Sequence, residues 1–148
     1  RGVIETVKKL GWAPDVVHCH GWMTSLVPLY IKKAYNENPL FSNTRIVLSL
    51  YDDDFSEGLS NNFGAKIKYD NISAKDIKHY KKPNYVSMMK AAIDFSDGIV
   101  LGSPVINPEV SEYLAQSGKP VLSYQGEENY VDAYNEFYEE ILQAQAVV

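Results

Sequence analysis

The chain has a single cysteine, Cys19, which excludes an internal disulfide framework and leads to the expectation of a reducing, cytoplasmic setting. No apolar run approaches the roughly 20 residues needed to cross a bilayer, and no signal peptide opens the sequence. Basic charge is not in excess: 14 Lys and Arg stand against 19 Asp and Glu, a formal net charge of -5. Neither nucleic acid nor a membrane is therefore expected as a partner. Neither G-x-G-x-x-G nor G-x-x-x-x-G-K-[ST] occurs, so phosphate-cradling loops of those types are missing. No internal repeat or low-complexity linker divides the chain.

What is present is an ordinary globular composition, 45% apolar and 22% charged, in 148 residues. That length predicts one domain with a real core, residues 1–148. The sequence lacks an initial methionine and opens in a helical pattern, "RGVIETVKKLG", with Val3, Val7 and Leu10 at helical spacing. The expectation is that it is the C-terminal part of something longer.

Helices and strands alternate. "DVVHC" reads as a buried strand after Pro14, and Thr24 or Ser25 is placed to cap a helix carrying Leu26, Leu29, Tyr30 and Ala34. "TRIVLSLY" is a second strand. Residues 52–71 mix turn formers with scattered apolar residues and predict short helical turns in a surface loop. "SAKDIKHYK" reads as a polar helix opened by a Ser73–Asp76 capping box. "YVSMMKAAIDFS" reads as a buried helix with Val86, Met89, Ala92 and Ile93 inward. "DGIVLGS" and "KPVLSY" are further strands, separated by a helix that Asn107-Pro108 opens and Gly118 closes. A last helix spans about Asn129 to Gln143. Short strands joined by helices predict an α/β fold, an open, mostly parallel sheet with helices on both faces. Ligands in such sheets sit beyond the C-terminal strand ends. Here those ends are 18–21, 51–54, 102–104 and 124–126.

His18 and His20 share one strand face. Two imidazoles so placed suit a metal, as in β/α-barrel hydrolases, but a third ligand is wanting: His79 lies in a lysine-flanked segment, and Asp52, Asp53 and Asp54 do not converge. The other roles open to the two histidines are structural or substrate-contacting. Cys19 points to the opposite face, toward a helix-covered core rather than a nucleophile's position. Ser103 lacks the second glycine of a nucleophile elbow and reads as a cap or turn residue. "YDDDF" is a solvated turn, or a contact to a sugar hydroxyl or cation. The tyrosines of "YVDAYNEFYEE" read as packing before platform.

"PDVVHCHGWMTSLVPLYIKKAY" resembles the P-D-[VI]-[VI]-H-x-H-D-W-x-x-[AG]-L-x-P-x-Y segment of bacterial glycogen and starch synthases. "TRIVLSLYDDDFSEG" is similar to that family's strand and T-[VI]-H-N-x-x-[FY]-x-G segment. "MMKAAIDFSDGIVLGSPVINPEV" is similar to its L-K-x-[GA]-[IL]-x-[YF]-[AS]-D-x-[IV]-x-T-V-S-x-x-[YF]-x-x-E segment. The matches run in order over roughly residues 12 to 126, within the second half of the family's N-terminal domain. The resemblance implies half of a Rossmann-like domain of a GT-B-type glycosyltransferase. It implies a retaining transfer from ADP-glucose to an α-1,4-glucan, with ADP-glucose as donor substrate and no cofactor or metal.

By the same resemblance, His20, Gly21, Trp22, Tyr51 and Asp52 would contact substrate, with α-glucan as partner. The departures fall there. The family's H-D-W aspartate is Gly21, and the histidine and asparagine of T-[VI]-H-N are Tyr51 and Asp52. "SYQGEENY" stands where N-G-[IV]-D would cross to the donor domain, and K-x-G-G-L would lie upstream of Arg1. "VDAYNEFYEEILQAQAVV" runs out into small residues as a chain terminus does, so the parent protein is expected to end near Val148 without a donor domain. The chain alone is then expected not to transfer glucose. A separate donor domain or a homo-oligomer is a possible partner. The alternatives are a non-catalytic α-glucan- or protein-binding descendant and, third, a metal-dependent hydrolase using His18 and His20. Trp22 either wedges the strand–helix turn or stacks on sugar. His18 either bonds backbone or meets substrate.

Overall fold

Four parallel strands form the sheet in the order β1-β2-β3-β4: β1 is Val16–His20, β2 Arg45–Leu50, β3 Gly98–Leu101 and β4 Val121–Leu122. The computed structural model describes residues 1–144, so the expected fraying of the last helix beyond them lies outside the described residues. Because strand order follows chain order, right-handed crossovers carry the connecting helices to one face of the sheet. The strands' alternation confirms it. Ile46, Leu48, Leu50 and Ile99 share one cluster with Leu29, Met89 and Val110 from the connecting helices. Val47 and Val100 face the other way, against Phe137 and Ile141.

Among the described residues that second face is covered by one helix, α6 (Tyr130–Gln143). It sits tightly because β3 opens on Gly98, where an added Cβ would fall 2.6 Å from the end of Ile141. The helices on the first face are α1 (Gly2–Leu10), α2 (Leu26–Leu29), α4 (Tyr85–Phe95) and α5 (Pro108–Ser117). A single-turn helix, α3 (Phe63–Lys66), lies in the long β2–α4 connection. The α/β sheet with helices on both faces is as expected. Among the described residues no helix is long and apolar enough to cross a membrane.

Local departures from the sequence reading have physical causes. In α1 the buried residue is Ile4, while Val3 and Leu10 are exposed, because the helix meets the core along Ile4 and Val7. Neither Thr24 nor Ser25 caps α2 through its side chain. Thr24 Oγ1 instead donates back to the carbonyls of His20 and Gly21. Beyond α2 the helix widens to a π-type segment, Tyr30–Ala34. Pro28, Leu29, Tyr30 and Ile31 are buried in succession, more than a 3.6-residue period puts on one stripe.

The connection between β2 and α4 is not merely a surface loop, since Ile67, Ile72 and Tyr80 are buried. The Ser73–Asp76 box forms, Ser73 N–H donating to Asp76 Oδ2 at 2.9 Å, yet it leads into a tight 3-10 turn, Lys78–Lys81, and not into an α-helix. Four lysines in eleven residues give that segment too little apolar face to sustain one. A second box, unforeseen, opens α4: Asn84 Oδ1 accepts from Ser87 N–H while Ser87 Oγ accepts from Asn84 N–H. Val86 in that helix is only half-buried. β4 shrinks from the expected six residues to two, the only ones that β3 pairs, through Ile99 and Val100.

Candidate functional site

The rim at the C-terminal strand ends brings His20 and Tyr51 together. In the parallel register His20 lies beside Ser49, so the chain leaving β2 carries Tyr51 over it. Tyr51 Oη sits 2.9 Å from His20 Nδ1, and the two rings tilt at a centroid separation of 6.2 Å. The Tyr51 ring lies flush over Gly102, where an added Cβ would come within 2.5 Å of it. His20 is exposed, and among the described residues nothing bonds its Nε2.

His18, one turn of the pleat below, points to the same side. The two imidazoles stack at 4.1 Å. Contrary to expectation, His18 bonds side chains and not backbone: Nδ1 meets Tyr138 Oη at 2.6 Å, and Nε2 meets Ser49 Oγ at 2.7 Å. A neutral imidazole satisfies both, one nitrogen donating and the other accepting. Burial, and secondarily the nearby His20, pushes His18 down from 6.5 to about 4. Burial lowers His20 as well. Both rings are thus neutral at physiological pH, which a close stack of two imidazoles requires.

Gly21 leaves β1 at φ 68°, ψ 180°, a region essentially reserved for glycine. The space its side chain would take is filled by a carboxylate: an added Cβ would lie 2.6 Å from Asp53 Oδ2. Asp53 accepts from Trp22 N–H at 3.1 Å and from Tyr85 Oη at 2.9 Å. Its negative charge, after burial, raises the Tyr85 hydroxyl's pKa. Trp22 is half-buried at the strand–helix turn with its ring 4.8 Å from Phe55, the wedge position.

Asp52, by contrast, is exposed, and among the described residues its side chain makes no hydrogen bond; its backbone N–H donates to Ser103 Oγ at 3.1 Å. This gives Ser103 its turn-closing role. Asp54 is held by Asn107 Nδ2 at 2.7 Å. The "DDD" run therefore splits: its second and third members tie loops together and its first faces water.

Cys19 is buried in the helix-covered core and its thiol is pushed up to about 12 by desolvation, which removes any nucleophilic thiolate. His79 pairs with Asp94 on the far side of the helix layer. Among the described residues no three His, Cys, Asp or Glu side chains gather as a metal site, and both His18 nitrogens are engaged by hydroxyls. Of the two strand histidines, His20 alone retains a free ring nitrogen to offer a ligand.

Three participants escaped the sequence reading. Ser49 is polar within an apolar strand and wholly buried, a signal legible in "RIVLSLY". Tyr138 belongs with Tyr130 and Tyr134 to an every-fourth-residue stripe, and that spacing marked a face of α6 without saying what it would meet. Asp53 had no signal separating it from its two neighbours.

Known proteins similar to this chain are glycogen synthases. Glycogen synthase of Clostridium perfringens is 29% identical over 134 residues, 85% of this chain and 26% of the relative. That of Photobacterium profundum is 29% identical over 115 residues, 78% and 22% respectively. That of Chlorobium limicola is 45% identical over 51 residues, 34% and 10%. The chain thus spans about a quarter of the length of the first two relatives. The family described as starch synthase catalytic domain matches residues 1–122, every strand and the whole His20–Tyr51 rim included, and the chain belongs to that family.

Proposed function

We propose that this chain is the acceptor-side part of an enzyme that moves glucose from ADP-glucose onto an α-1,4-glucan, the nucleotide being held by another domain or chain. The observation that carries the reading is the His20–Tyr51 pair. A neutral imidazole with a free Nε2 beside a phenol offers donors and acceptors in both senses, which suits uncharged sugar hydroxyls. The same rim argues that the diphosphate is bound elsewhere. The segments 20–22, 51–55 and 102–104 carry three aspartates and no lysine or arginine, so they repel a sugar nucleotide's phosphates. The chain alone is then inactive. We place the activity in the cytoplasm, in keeping with its lone unpaired cysteine.

The test is transfer of labelled glucose from ADP-glucose to glycogen by the full-length natural protein, with a two-domain synthase as control. Incorporation above background that falls roughly tenfold in Tyr51→Phe is the expected result, the loss of one substrate hydrogen bond. A second reading, glucan binding without transfer, is favoured by Asp53. This rim carboxylate is committed to Trp22 and Tyr85 and is not free for chemistry. No incorporation by folded protein, together with retardation in a glycogen-containing native gel, would select it.

A further inference from the structure

The net charge of -5 conceals a segregation. Residues 66–90 hold seven lysines against two aspartates, a net +5, while residues 123–144 hold six acids and no lysine or arginine. The fold sends these segments to opposite sides. Lys78, Lys81, Lys82 and Lys90 line a cleft of about 580 Å³ on the outer side of the helix layer, beside the start of α4. Four of the acids ride on α6, across the sheet, where Glu136, Glu139 and Glu140 line a groove of about 540 Å³.

Glu109 is the one acid lining the lysine cleft, against four lysines, and no ion pair within the described residues offsets the excess charge of either patch. Among the described residues, Lys81, Lys82 and the six acids form no ion pair; Lys78 reaches only Asp94, at 3.9 Å. Glu136, Glu139 and Glu140 stand at i, i+3 and i+4, so they repel one another along one helix face. The sheet and its helix layer keep the two patches apart in one molecule. Between two molecules nothing does.

We propose that the lysine cleft of one copy receives the acidic face of α6 from a second copy. The contact is heterologous, joining different surfaces, so repetition gives a ring or an open chain and not a two-fold dimer. It leaves the His20–Tyr51 rim uninvolved and does not depend on the catalytic reading. Being built from exposed charges, it is salt-sensitive.

Sedimentation velocity of the full-length protein at about 20 mM and about 500 mM salt tests this, beside the variants K78E/K81E/K82E and E136K/E139K/E140K. All six positions are exposed, and far-UV circular dichroism checks that both variants fold. The wild type should associate at low salt and dissociate at high salt. Each variant alone should stay monomeric, and an equimolar mixture of the two should associate again, since each retains the patch that the other's native patch fits. A monomeric wild type at low salt, association that survives in either variant, or a mixture that stays monomeric would overturn the proposal. A wild type that stays monomeric but binds inorganic polyphosphate through the lysines would overturn it in favour of a polyanion.

Discussion

The phenolic oxygen of Tyr138 on α6 lies 2.6 Å from Nδ1 of His18 on β1, two residues separated by 120 positions of sequence. This bond fixes how α6 lies across the sheet and which way the His18 ring faces. It also places α6, which lies outside the family match, directly beneath the rim. Tyr138→Phe removes the hydroxyl and keeps the ring, so it leaves His18 with one nitrogen unpaired. The expected cost is about 1–2 kcal/mol in urea unfolding. Tyr130→Phe, at an exposed position of the same stripe, should stay within about 0.5 kcal/mol. Equal effects for the two would refute the assignment.

His18 also makes stability depend on pH. Its folded value of about 4 lies below the ordinary 6.5, so the unfolded chain takes up the proton first. The stabilisation is fully present above pH 6.5 and is lost as pH falls toward 4. Discounted for the ring's partial exposure, the loss is on the order of 2 kcal/mol. Urea midpoints at several pH values, wild type against His18→Gln, isolate this contribution from that of the carboxylates. Parallel pH profiles for the two proteins would exclude it.

Cys19 supplies a probe of the helix-covered core. It is 3% exposed with its thiol pushed up to about 12, so native protein should resist a thiol-specific disulfide reagent at pH 8 for as long as the fold holds. Reaction should follow global unfolding, and become immediate in urea. Rapid labelling of the native protein would mean that β1, an edge strand, opens locally.

The strands and helix ends were legible because local chemistry writes them: Gly11 and Gly118 in left-handed caps, and Asn107 accepting from the N–H groups of residues 109 and 110. The facing of His18 and His20 away from Cys19 followed from the two-residue period of a strand. The partners of His18 did not, because Ser49 and Tyr138 reach it only through the register of β2 and the crossing of α6. The turn at Lys78–Lys81 misled for the opposite reason. Its capping box is real, but a cap supplies an end and not the apolar face that sustains a helix.

Gly21 and Asp53 meet where β1 leaves the sheet. At φ 68° any side chain is strained by about 1–3 kcal/mol, and here the Cβ would also meet Asp53 Oδ2 at 2.6 Å. Gly21→Ala should therefore cost about 2–4 kcal/mol. Asp53→Ala should cost about 1–2 kcal/mol, by leaving Trp22 N–H without its acceptor, while the Tyr85 hydroxyl keeps the Tyr51 carbonyl at 3.1 Å. If the carboxylate occupies the vacated side-chain space, the double variant relieves the clash and keeps the backbone strain together with the cost of the lost Asp53 hydrogen bond. Its cost should then fall short of the sum by about 1 kcal/mol. Additive costs would mean that Asp53 gives way freely, and that glycine is required at position 21 for its backbone alone.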